Sequence, residues 1–150
     1  MYKRIFVAID NSSTAQKALD EAIHLAVKLD AGLCIGTALD EAPVTQHGMG
    51  LGSYIDVDRV KQEMRDAGNA LLDKAAAQAK AAGGDPYRIL IESDKKRLSD
   101  MIIDAAAQWD ADLIVMGTHG RRGFERLLVG SVAEHMIRSA TTTLLLVREK

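Results

Sequence analysis

Apolar and polar positions along the chain fall into two regimes: short continuous apolar runs, and longer stretches where apolar residues recur every three or four positions. RIFVAI (4–9) is the first run, rich in β-branched and aromatic residues and followed by the turn-like DNSS, as a buried strand would be. TAQKALDEAIHLAVKL (14–29) then places Ala15, Ala18, Leu19, Ala22, Ile23, Ala26 and Val27 on one helical face. Ser13 and Gln16 fit a capping box at its start, and Gly32 is placed to end it. A second strand, LCIGTAL (33–39), leads into DEAPVTQHGMGLGSYIDVD (40–58), which has three glycines, one proline and no sustained period. Unstructured connections of that length are uncommon in compact domains and are usually functional or disordered. Its glycines permit a lid over a ligand or an arm towards a neighbour.

The alternation continues with an alanine-rich helix over 59–82, stopped by Gly83-Gly84-Asp85-Pro86, and a third strand YRILIE (87–92). A helix over 96–108 buries Leu98, Met101, Ile102 and Ala105, and ADLIVMG (111–117) is the fourth strand. SVAEHMIRSA (131–140) and TTTLLLVRE (141–149) supply the last helix and strand. Apolar strands separated by helices predict an α/β fold: a doubly wound, five-stranded parallel sheet with helices on both faces.

Composition narrows the function classes. With 150 residues, 47% of them hydrophobic, one domain over residues 1–150 is the expectation. Nineteen basic and 21 acidic residues give a net charge of −2 without long like-charged runs, which argues against general binding to nucleic acid. The runs LIVM and LLLV are too short to span a membrane, and MYKRIFVAID lacks a signal peptide's apolar region and cleavage site, so the expected location is the cytoplasm. Cys34, the one cysteine, sits in an apolar run and reads as a small core residue. His24 and His135 lie on helices and His47 in the long loop, so with His119 the four histidines show no metal-ligand spacing.

The chemistry concentrates after the fourth strand. GTHGRRGFERLLVGS (117–131) carries four glycines and three arginines, spaced Gly117-x2-Gly120-x9-Gly130-Ser131, with Ser131 opening the last helix. A helix start offers unpaired amides and partial positive charge, and glycines before it let phosphate oxygens approach. Gly130, Ser131 and Val132 are the candidate amide donors. Ser131-Val132-Ala133-Glu134 fits a capping box equally well, in which case serine and glutamate merely satisfy the helix end. Arg121, Arg122 and Arg126 are either phosphate partners or a solvated basic turn. The loop is not a Walker A sequence, which needs Gly-Lys-Ser/Thr, and AIDNSST after strand one contains no glycine for a dinucleotide fingerprint. In doubly wound sheets ligands bind beyond the carboxyl ends of the strands, so Asp10-Asn11-Ser12-Ser13 is the second loop placed to take part.

Other parallel-sheet chemistries fit less well. A phosphoryl-accepting receiver would need an acidic cluster after strand one, an Asp ending strand three and a Lys ending strand five; this chain has Asp10, Glu92 and Arg148. A flavin carrier would need a phosphate loop after strand one and aromatic residues against the ring. An enzyme that hydrolyses ATP slowly or transfers adenylyl groups is the serious alternative, yet only Asp10 is placed to support a metal. The expectation is a binding module with slow turnover at most.

GTHGRRGFERLLVGSVAEHMIRSATTTLLLVR resembles the carboxyl-terminal signature of the universal stress protein family, whose ATP-binding members carry Gly-x2-Gly-x9-Gly-Ser/Thr at this position. YKRIFVAIDNSSTAQKALDEAIHLA is similar to the family's opening strand, aspartate and first helix. The resemblance implies a Rossmann-like fold of the adenine-nucleotide-hydrolase type with strand order 3-2-1-4-5. It implies ATP, with Mg2+ as companion ion, its triphosphate along Gly117, Gly120, Gly130, Ser131 and Val132. Asp10 would face the ribose; the main chain of Ala8 and Ile9, with Ala38 and Met116, would line the adenine, and His119 and Arg121 would meet phosphate or ribose. The last strand, Thr143–Val147, would form a homodimer, open to larger assembly, in a stress-responsive regulatory module with a protein partner the chain does not name. The chain departs from the family pattern in IESDKKRLSD after strand three, in Thr37-Ala38 where many members read His-Val, and in Thr142 or Thr143 where many have proline.

Overall fold

The structure, a computed structural model, describes residues 1–41, 56–93, 95–119 and 129–149. In chain order they form β1 (Arg4–Ala8), α1 (Ser13–Leu29), β2 (Gly32–Asp40), α2 (Val57–Ala81), β3 (Pro86–Ser93), α3 (Leu98–Gln108), β4 (Leu113–Gly117), α4 (Ser131–Ser139) and β5 (Thr143–Val147). The strands make one parallel sheet in the order β3-β2-β1-β4-β5. This is the doubly wound arrangement expected from the alternation, and the strand order that the family resemblance implies.

The chain winds from β1 to β3 across one half of the sheet, then crosses to β4 and β5 in the other. Right-handed crossovers therefore send α1 and α2 to one face and α3 and α4 to the opposite one. Side-chain parity in the strands matches. Ile5, Val7 and Ile9 pack with Leu19, Ile23, Leu72 and Ala75 beneath α1 and α2. Phe6, Ile114 and Met116 pack with Met101, Ile102, Ala133 and Met136 beneath α3 and α4. The Phe6 ring occupies the volume in front of Gly36, where a Cβ would lie 2.6 Å from its Cζ. Burying each such large side chain contributes about 1.5–3 kcal/mol relative to leaving it exposed.

Several element ends differ from the sequence expectation. Ser12, not Ser13, caps α1: its Oγ accepts from the Ala15 amide at 3.2 Å, while Ser13 Oγ donates to Glu149 Oε2 at 2.9 Å. The helix ends at Asp30, which adopts the left-handed conformation (φ 51°), with the Ala31 amide donating to the Ala26 carbonyl at 2.9 Å. Aspartate tolerates that geometry because its short side chain can bond locally. Gly32 is therefore released to open β2. Asp56 caps α2 through the Arg59 amide at 3.1 Å, so the last residues assigned to the 40–58 loop belong to the helix and its cap, and Asp40 extends β2. Residues 42–55 of that loop lie outside the described residues. Pro86, read as part of a stop, starts β3 opposite Leu33 on an edge strand, where a missing N–H is tolerated.

Cys34 is fully buried, and burial pushes its thiol up to about 12 from the ordinary 9.0. That is the core role its apolar run predicts.

Candidate functional site

The direction of winding reverses between β1 and β4, and the two loops singled out in the sequence leave the carboxyl ends of these neighbouring strands. At the end of β1, Ile9 is buried and its amide donates to the Gly36 carbonyl at 2.9 Å. The Ile9 carbonyl accepts the Thr37 hydroxyl at 2.8 Å, so the residue standing in place of a family histidine closes a bond between β1 and β2.

Asp10 follows in a tight turn. Its Oδ1 accepts the Ser12 amide at 2.8 Å and also the Ser12 hydroxyl, the geometry of an Asx turn. Among the described residues no hydrogen bond engages its Oδ2. The carboxylate is thus anchored by one oxygen and presents the other. Ser12 in turn caps α1, so the turn and the helix start form one unit.

At the end of β4, Met116 is only 6% exposed and its side chain belongs to the core, while Gly117 and His119 are half-buried. Thr118 is buried between them: its amide donates to the Val147 carbonyl at 3.0 Å, and its carbonyl accepts the Gly130 amide at 2.6 Å. That last bond ties the two ends of the glycine loop together and occupies the Gly130 amide, which the sequence offered to phosphate, so the candidate donors are those of Ser131 and Val132. Thr118 Oγ1 and His119 Nδ1 lie 3.0 Å apart.

The capping box proposed for α4 does not form. Gly130 occupies the N-cap, where it has no side chain to offer, and Glu134 Oε1 accepts from Arg138 Nη2 at 2.8 Å instead of reaching back. Ser131 is exposed in the first turn and Val132 half-buried. The opening amides of a helix have no acceptor within it, and a glycine cap leaves them to whatever lies beyond the helix end. This is the chemistry of an anion cradle.

Ala8, Ala38, Met116 and Val132 all pack against the core beneath α3 and α4, whereas Ile9 belongs to the opposite layer. The structure therefore brings together Ala8, Asp10, Met116, Gly117, His119, Gly130, Ser131 and Val132 around the β1–β4 switch, with Ala38 on neighbouring β2. Gly120 and Arg121 lie outside the described residues, as do Arg122, Arg126 and His47. Gly117 is not open on its Cβ side, because Thr14 fills that space with Oγ1 at 2.6 Å. Any ligand there meets only its main chain.

Sequence reasoning missed two features. A cavity of about 320 Å3 opens between α1 and α2, lined among others by Ile9, Asp10, Ser12, Gln16, Lys74 and Gln78. It extends the Asp10 turn towards α2, whose polar residues carried no motif. The second feature is the pairing of Ser12 and Thr14 with the His119 carbonyl. Its only local signal was a run of hydroxyl residues, which also suits an ordinary turn.

These features define an open doubly wound α/β protein with the Asp10 turn and the glycine-capped start of α4 at the carboxyl edge of its sheet. The family model of the universal stress protein family matches residues 1–148, and the chain belongs to that family. It is similar to universal stress protein YxiE of Bacillus subtilis, 30% identical over 99% of this chain and 100% of the relative. Among solved structures it is similar to a universal stress protein family member from Burkholderia pseudomallei, with 31% identity, a TM-score of 0.78 and coverage of 97% of this chain and 96% of that one. It is also similar to a universal stress protein crystallised in complex with cAMP, with 29% identity, a TM-score of 0.69 and 97% of both chains covered. No helix among the described residues is long and apolar enough to cross a membrane.

Proposed function

We propose that residues 1–150 form one adenine-nucleotide-binding universal stress protein domain, a cytoplasmic regulatory module that binds ATP and turns it over slowly if at all. The observation that carries this reading is that the anchored Asp10 carboxylate follows β1 while Gly130, the N-cap of α4, is tied to Thr118 at the end of neighbouring β4. Asp10 Oδ2 accepts from a ribose hydroxyl. The main chain of Gly117 and Gly120 and the amides of Ser131 and Val132 would hold the triphosphate, with His119 and Arg121 alongside and Mg2+ as its counter-ion, while Gly130, whose amide is taken by the Thr118 carbonyl, contributes the absence of a side chain. The main chain of Ala8 and Ile9, with Ala38 and Met116 at the ends of β2 and β4, would line the base. The related protein crystallised with cAMP supports an adenine ligand.

The reading includes a homodimer through β5, which stands at one edge of the sheet with the apolar sequence Thr143–Val147. An edge of that kind pairs readily with a second copy. A monomer in sedimentation velocity at micromolar protein would remove this part.

Titration calorimetry with ATP, cAMP and GTP tests the ligand. ATP binding that Gly130→Val abolishes, with the fold intact by circular dichroism, is the expected result. Unchanged affinity in that variant refutes the cradle, cAMP preferred over ATP corrects the ligand, and ADP accumulating on incubation supports the enzymatic alternative.

A further inference from the structure

The first turn of α1 holds the start of the glycine loop from the side. Thr14 is 2% exposed, and its hydroxyl donates to the carbonyl of His119, 105 positions further along the chain. Ser12 Oγ lies 3.3 Å from the same oxygen and 3.3 Å from Thr14 Oγ1, while its proton is also shared with Asp10 Oδ1. Gly117 makes this approach possible: a Cβ there would sit 2.6 Å from Thr14 Oγ1 and 2.9 Å from the Thr14 carbonyl carbon. On the other side Thr118 is bound to Val147 and to Gly130.

We infer that Thr14, seconded by Ser12, is a positioning residue for the proposed phosphate cradle, clamping the His119 carbonyl that follows β4 to the Asp10 turn. The inference rests on the nucleotide reading above. A peptide group is planar, so a carbonyl held at its oxygen sets the plane in which the chain continues. Preordering that plane removes part of the ordering cost that a ligand would otherwise meet on binding. The same two hydroxyls connect His119 to Asp10, so the Asp10 carboxylate and the chain leaving β4 are held by one hydrogen-bonded unit. Cap formation alone does not require Thr14, because Ser12 performs it.

The test compares wild type, Thr14→Val and Thr14→Ser. Valine keeps the volume and removes the donor, whereas serine keeps the donor. Removing one partner of a buried hydrogen bond predicts ATP binding about tenfold weaker in Thr14→Val, with Thr14→Ser close to wild type. In the nucleotide-free protein, hydrogen exchange at the Gly130 amide, which closes the base of the loop, becomes roughly tenfold faster in Thr14→Val, while the Ile9 amide stays protected. Gly130 exchange unchanged in Thr14→Val overturns the clamp, whether or not wild type binds ATP. Faster exchange with unchanged ATP affinity overturns its role in binding. Wild type that binds no adenine nucleotide refutes the function proposed above, and the Gly130 exchange still decides the clamp.

Discussion

Replacing Gly117 with alanine sets two effects of opposite sign against each other. Gly117 has no unusual backbone angle, so alanine at this position stiffens the unfolded chain and by itself stabilises by about 0.4–1 kcal/mol. The new methyl group would lie 2.6 Å from Thr14 Oγ1, 2.8 Å from Thr14 Cβ and 2.9 Å from the Thr14 carbonyl carbon. Turning the Thr14 side chain could relieve only the Oγ1 contact, and only if Thr14 left its bond with His119; Cβ and the carbonyl carbon are fixed by the backbone. The first turn of α1 must therefore move away from β4. Overpacking of this kind costs about 1–3 kcal/mol, which outweighs the gain and leaves a net loss of about 1–2 kcal/mol. For a chain of this length the melting temperature falls by roughly 2–8 °C. Thermal unfolding followed by circular dichroism, with Gly83→Ala as a control at a glycine whose Cβ would meet nothing within 4 Å, supplies the measurement. The control has its own conformational cost, because Gly83 is at φ +96°, so it isolates backbone strain from crowding. Gly117→Ala melting at or above the wild-type temperature would refute the packing argument, and with it the reason that β4 ends in glycine.

Further predictions concern two groups remote from the site. Cys34, held protonated by burial to about 12, should resist thiol reagents at pH 8 in the native state and react once unfolded. Its folded value is raised, so the unfolded chain loses the proton first and native stability declines as pH rises from 9.0 towards about 12; Cys34→Val should flatten that slope in alkaline denaturant titrations. Asp112 ties the start of β1 by accepting the Lys3 amide at 2.7 Å and the Arg4 amide at 3.0 Å. Asp112→Ala should cost about 1–2 kcal/mol in urea unfolding without changing nucleotide affinity, since the bonds lie at the opposite, amino end of the sheet.

Legibility differed from element to element. The apolar runs located all five strands to within two residues at each end; for the inner strands β2, β1 and β4 the reason is that strands buried on both faces need continuous hydrophobicity. Helix ends were read less well where two caps competed. Ser12 and Ser13 are both suitable N-caps, and only the Asx turn at Asp10 selects Ser12. Asp30 and Gly32 could each end α1, and the pairing of Gly32 with Arg4 in the sheet assigns that glycine to β2. Ser131 and Glu134 matched a capping box, yet the bond from the Gly130 amide to Thr118 places the glycine at the cap and leaves Ser131 inside the helix.

The candidate site divides along the same line. Periodicity and composition settled the class of fold, and the glycine spacing with Asp10 singled out the candidate site, because local conformation and side-chain type are properties of short stretches. Family resemblance added the strand order. Tertiary structure alone decided that the Asp10 turn and the glycine loop share one hydrogen-bonded unit, since the Thr14 hydroxyl and the His119 carbonyl are brought together only when β1 and β4 pair. It also decided that Gly117 serves the approach of α1 to β4. A contact between residues about a hundred positions apart leaves no period in the chain, and only the folded sheet supplies the distance that makes it.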